Sequence, residues 1–123
     1  MILADTSVWI DHLRGANTGL AALLEGGRVL THEFVIGEVP LGSLRQRVLI
    51  LDAMRNLPRA TMAQPNEVLG FIESHRLFGL GIGYIDAHLL ASVHLTPGAT
   101  IWTRDRRLRE TAEGLKVAAD MER

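Results

Sequence analysis

Apolar positions recur along this chain in short blocks whose spacing changes from block to block. Ile2, Leu3 and Ala4 form a continuous apolar run that stops at Asp5, and Thr6 and Ser7 follow as further residues of helix-capping type. Val8, Trp9 and Leu13 then predict a short amphipathic helix closing near Gly15. Leu20, Leu23 and Leu24 predict a second, stopped by Gly26 and Gly27. Arg28 to Thr31 reads as a second strand. From Phe34 to Leu41 the apolar residues return to helical spacing, with Pro40 expected to bend or end that helix because it lacks a backbone donor.

Arg45 to Leu57 reads as a third helix ended by Pro58, and Arg59 to Ala63 as a weak strand. Pro65 suits the first turn of a helix carrying Val68, Leu69, Ile72 and Leu77. Beyond Gly79, Gly81 and Gly83, helical periodicity resumes from Tyr84 to Leu95. Ala99 to Thr103 then reads as a strand, Arg106 to Gly114 as a helix, and Val117 to Ala119 as a last edge strand. Strands alternating with helices predict an α/β fold around a parallel sheet, in one domain spanning residues 1–123 without linker or repeat.

Composition narrows the chemistry. At 123 residues the chain suits one domain that buries roughly two-thirds of its unfolded surface. A formal charge of −1 makes no case for a protein that coats nucleic acid through many phosphate contacts. It does not exclude a nuclease, because a bound divalent cation adds charge that a sequence count omits. Cysteine is absent, which removes disulfide scaffolds, thiolate zinc sites and cysteine nucleophiles and fits a reducing compartment. No two of the five histidines stand four residues apart, so a zinc helix of the His-Glu-x-x-His type is absent. The start of the chain has neither a basic leader nor a long apolar segment, so a soluble, cytoplasmic protein is expected.

Four acids stand beside apolar stretches: Asp5, Glu38, Asp86 and Asp105. Carboxylates are rarely left near a core unless paired or holding a metal, and four brought together would repel one another without a cation. An oxygen-only cluster favours Mg²⁺ or Mn²⁺. Each acid also has a plainer explanation. Asp5 and Asp105 suit helix N-caps, Asp86 suits the first turn of a helix, and Glu38 suits a solvated helix face. Against these stand the apolar neighbours of Glu38 (Val35, Ile36, Val39), which predict burial, and the apolar stripe beside Asp86 (Leu89, Leu90, Val93). Arg104, Arg106 and Arg107 flank Asp105 and suit substrate phosphates, and equally a solvated helix face. His88 reads as a packing or surface residue. The triple glycine of residues 79–83 follows a helical pattern, not a strand, so it reads as a hinge and not as a nucleotide fingerprint.

The order and surroundings of these acids resemble PIN-domain ribonucleases, most closely the VapC toxins of toxin–antitoxin pairs. The likeness lies in Asp5-Thr6-Ser7-Val8-Trp9-Ile10-Asp11, the Glu38 helix, the stretch from Tyr84 to Ala91, and Trp102-Thr103-Arg104-Asp105. The resemblance implies a three-layer α/β/α sandwich around a parallel sheet of about five strands. It implies a Mg²⁺- or Mn²⁺-dependent endoribonuclease acting on structured RNA such as tRNA or rRNA, a homodimer, and silencing by a cognate antitoxin. By likeness, Asp5, Glu38, Asp86 and Asp105 form the acidic quartet, while Thr6 or Ser7 and Thr103 steady carboxylates or waters. The mechanism expected has Asp5 and Asp86 holding the principal metal directly, with Glu38 and Asp105 acting directly or through water. Pro40 departs from the pattern and bears on the aim of Glu38.

Two other classes remain open on sequence. One is a catalytically silent PIN-like module that binds RNA or protein. The other is a phosphoryl-transfer domain of receiver or haloacid-dehalogenase type. Such domains use a lysine beside their acids, whereas the one lysine here, Lys116, precedes the last expected strand.

Overall fold

In the computed structural model, which describes residues 1–15 and 19–121, the apolar run at the start of the chain becomes the central strand, β1 (Ile2–Ala4). A strand with no polar position has to be covered on both faces, as parallel sheets are. β1 pairs in parallel with β2 (Val29–Leu30) on one side and with β3 (Thr100–Trp102) on the other. The register sets Leu3 opposite Leu30 and Ile101, and all three are buried.

The sheet order β2-β1-β3 means that the chain leaves β1 in one direction and later returns past it in the other. Crossovers between parallel strands are right-handed, so opposite directions put the connecting helices on opposite faces. The first crossover is α1 (Thr6–Leu13) and α2 (Leu20–Glu25). The second contains α3 (Glu33–Glu38), α4 (Arg47–Arg55), α5 (Pro65–His75) and α6 (Tyr84–Leu95). α7 (Arg106–Gly114) follows β3. α6 is buried at every position from Ala87 to Val93, and such all-round burial marks a core helix. No helix is long and apolar enough to cross a membrane among the described residues.

The sheet has three strands where about five were expected, because both outer segments form only single bridges. Arg59 bridges Thr31, and Ala118 bridges Ile101. At the first edge, Thr31 donates to Pro58 and accepts from Ala60 at 2.9 Å each, and Pro58 has no N–H with which to extend the ladder. At the second, Val117 and Ala119 hold Ile101 by two bonds of 2.8 Å. Pro40 ends α3 as its missing donor requires: the α-helix stops at Glu38 and a 3-10 turn takes over through Val39–Leu41.

Candidate active site

In open parallel sheets, sites form at the carboxyl ends of strands where the chain order reverses. Here that point lies between β1 and β3. The backbone N–H of Asp5 donates to the Trp102 carbonyl at 3.0 Å, which continues the ladder one residue past β1 and fixes Asp5 opposite Thr103. Asp5 is only 6% exposed, an unusual depth for a carboxylate.

Its oxygens are held by a web of hydroxyls. Ser7 Oγ donates to Asp5 Oδ1 at 2.5 Å, and Thr103 Oγ1 donates to Oδ2 at 2.5 Å. The N–H of Val8 reaches Oδ1 at 3.3 Å, so Asp5 is also the N-cap of α1. Each hydroxyl spends its one proton on Asp5 and accepts from the chain after β3: Ser7 Oγ from the Arg104 N–H at 2.9 Å, Thr103 Oγ1 from the Asp105 N–H at 3.0 Å. These bonds take up most of the roughly four lone-pair sites that a carboxylate offers. Burial raises the Asp5 carboxyl above its ordinary value, and the bonds from Ser7, Thr103 and the backbone only partly offset this.

The other three acids come from three different elements. Glu38 is the last residue of α3, and its Oε1 accepts from Thr6 Oγ1 at 2.8 Å, so the two helices are tied beside Asp5. Glu38 is exposed, which corrects the burial expected from its apolar neighbours: Val35, Ile36 and Val39 turn inward and Glu38 turns out. Asp86 stands in the first turn of α6, where its Oδ2 accepts from the Gly83 N–H at 3.2 Å. Asp105 caps α7, its Oδ1 accepting from the Leu108 N–H at 3.0 Å. Burial first, and then repulsion from Asp105 and Glu38, raise the Asp86 carboxyl; the Gly83 bond opposes them. That repulsion puts Asp105 and Glu38 within electrostatic reach of Asp86.

The arginines after β3 separate. Arg104 pairs with Asp11 at 3.2 Å, and Arg106 with Glu110 at 3.0 Å. Arg107 is in no ion pair among the described residues. The Arg104 partner gives Asp11 a role that sequence reasoning left unassigned.

A second polar group was also missed. His32 caps α3, its Nδ1 accepting from the Phe34 N–H at 3.0 Å. That acceptor role fixes the proton on Nε2, which lies 2.9 Å from Ser92 Oγ, and the same oxygen accepts from the Ala63 N–H at 3.2 Å. Burial, and the neighbouring His88, push His32 down to about 4. Histidine is not among the preferred capping residues, so no sequence signal pointed to it. His88 is buried, with its ring against Phe34 at 4.4 Å and His32 at 5.4 Å between centroids. Packing is the reading the structure supports.

The donor set around Asp5 is carboxylates and hydroxyls, which suits a hard divalent cation. No three acids or histidines are gathered into a ready-made cage among the described residues. Mg²⁺ needs none, since it retains waters and uses one or two carboxylates with substrate phosphate. The mutual repulsion at Asp86 and the burial of Asp5 are both charges that such a cation offsets.

Comparison with known proteins agrees with this geometry. A family model described as PIN domain matches residues 2–114. Ribonuclease VapC32 of Mycobacterium tuberculosis, in two strains, is 48% identical over 118 residues, covering 96% of this chain and 95% of the relative. Among solved structures, PAE2754 from Pyrobaculum aerophilum has a TM-score of 0.66 at 16% identity, covering 96% of this chain and 87% of its own. FitAcB from Neisseria gonorrhoeae has a TM-score of 0.63 at 24% identity, covering 96% and 95%.

Proposed function

This chain belongs to the PIN-domain family, and from that membership we propose that it is a VapC-type endoribonuclease, the toxin of a toxin–antitoxin pair, built as a single PIN-like domain. The observation that carries the reading is the buried Asp5 carboxylate held at both oxygens by Ser7 and Thr103 at the reversal point of the sheet, with Glu38 tied beside it through Thr6. A silent binding module has no need of a buried carboxylate held at both oxygens, and the 48% identity to a protein named ribonuclease favours activity.

Asp5 and Asp86 are the residues that would hold Mg²⁺ or Mn²⁺ directly, with Glu38 and Asp105 acting directly or through water. Such a cation, when bound, supplies charge to the substrate phosphate and acidifies a water for in-line attack. The chain's own side chains do the rest. Ser7 and Thr103 hold both oxygens of Asp5 and so set the orientation of its carboxylate. Thr6 orients Glu38, and Gly83 orients Asp86. The reaction breaks a phosphodiester bond and leaves 5′-phosphate and 3′-hydroxyl ends.

The substrate class is structured RNA such as tRNA or rRNA, in the cytoplasm, and the partners are a cognate antitoxin and a second copy of the chain. Large apolar side chains left in solvent support partners: Leu41, Val48 and Leu49 are 87%, 74% and 64% exposed. Sequencing the 5′ ends of RNA from cells before and after induced expression tests the substrate. Cuts at one or a few positions in tRNA or rRNA, with 5′-phosphates, are expected; cuts scattered over messenger RNA would overturn the structured-RNA reading.

A further inference from the structure

Arg107 differs from every other arginine of its run in what surrounds it. Arg104, Arg106 and Arg109 each face a carboxylate, at 3.2, 3.0 and 3.9 Å. Arg107 is exposed, lies in no ion pair among the described residues, and rests its side chain against a backbone. That backbone is Gly81. A Cβ built there would lie 2.5 Å from a terminal nitrogen of Arg107, 2.8 Å from its Cδ and 3.0 Å from its guanidinium carbon. Gly81 is therefore a cradle: with φ of +77° and no side chain, it lets the Arg107 stem and guanidinium lie flat across it.

Both ends of this contact adjoin, along the chain, segments that carry site acids. Gly81 sits in the loop whose Gly83 N–H holds the Asp86 carboxylate. Arg107 is two residues past Asp105, in the first turn of α7. Resting on the ribonuclease reading of the site, we infer that Arg107 grips a substrate phosphate flanking the bond to be cut, and that Gly81 is its positioning residue. A guanidinium free of carboxylates keeps its planar fork of donors available for phosphate oxygens. Arg104, Arg106 and Arg109 each have a carboxylate beside Nε instead. The close approach to Gly81 restricts the Arg107 side chain, so the fork meets RNA with less freedom to lose.

Steady-state cleavage of bulk bacterial tRNA with Mn²⁺ tests this, alongside tRNA binding by Asp5→Asn protein over a range of salt. Arg107→Gln is expected to lower kcat/KM about 10-fold to 100-fold, the scale of one lost charge-assisted bond, mainly through KM. Its salt dependence of binding falls by about 0.7 to 1 in slope, one phosphate contact. Arg107→Lys recovers part of the loss, and Arg28→Gln, a distant exposed cation, stays at the parent level. Gly81→Asn, which tolerates positive φ but fills the cradle, raises KM while the protein still melts cooperatively. Combined with Arg107→Gln, Gly81→Asn adds no further loss, since both act through one contact.

A parent that cuts tRNA while Arg107→Gln matches Arg28→Gln overturns the Arg107 assignment alone. Full additivity of the two substitutions overturns the role of Gly81. A parent that neither binds nor cuts RNA overturns the ribonuclease reading beneath both.

Discussion

Asp5 is the residue on which the site turns, because three constraints meet there. It ends the central strand, caps α1, and carries a buried carboxylate with both oxygens engaged. Burial raises its carboxyl, so the folded chain holds that proton to higher pH than the unfolded chain does. From this alone, stability of the cation-free protein falls as pH rises from the ordinary carboxylate range through the raised value, and Asp86 adds in the same sense. On the proposed reading, a divalent cation would take the place of the proton above that window. Thermal melts at pH 8 should therefore show the parent gaining clearly from Mn²⁺. Asp5→Asn should melt at or above the parent without Mn²⁺ and gain less from adding it. An equal Mn²⁺ shift in both proteins would place the cation elsewhere.

At the scale of elements, the site depends on where helices begin and end. α6 was legible to the residue, Tyr84 to Leu95, because its apolar content leaves few polar positions to interrupt a helical reading. Glu38 was legible as a candidate, but its exposure was not. Neighbouring apolar residues say that a helix has a buried face, and only the rotation of α3 decides which side Glu38 takes. The outer strands were over-read for a related reason: Arg59 to Ala63 and Val117 to Ala119 carry strand-like residues, while ladder length depends on partners elsewhere in the chain.

His32 shows what sequence could not carry. It caps α3 two residues away, and its bond to Ser92 joins residues 60 positions apart, with no motif between them. A histidine pushed down to about 4 stays neutral when folded, whereas the unfolded chain takes its proton near the ordinary value of about 6.5. Stability contributed here is intact above about 6.5 and is lost as pH falls toward 4, on the order of 3 kcal/mol at most. Denaturant titrations between pH 7 and 4.5 should show this slope in the parent. In His32→Asn, which keeps a capping oxygen, the slope should be smaller. An unchanged slope would mean that another group carries the acid sensitivity.

For the whole molecule, fold and family agree, and the proposed centre lies at the reversal point of the parallel sheet. A formal charge of −1 gives the chain little net attraction for RNA, and on the proposed reading a cation at the repelling acids adds positive charge there. Metal dependence and Asp5 dependence are thus two faces of one claim. The most direct test is cleavage of total bacterial RNA by the purified protein, freed of any antitoxin, with Mn²⁺, with chelator, and with Asp5→Asn. Discrete fragments that appear with Mn²⁺ and vanish in both other arms are the predicted result. Cleavage that survives chelation, or that Asp5→Asn performs as well as the parent, would contradict the assignment of this site.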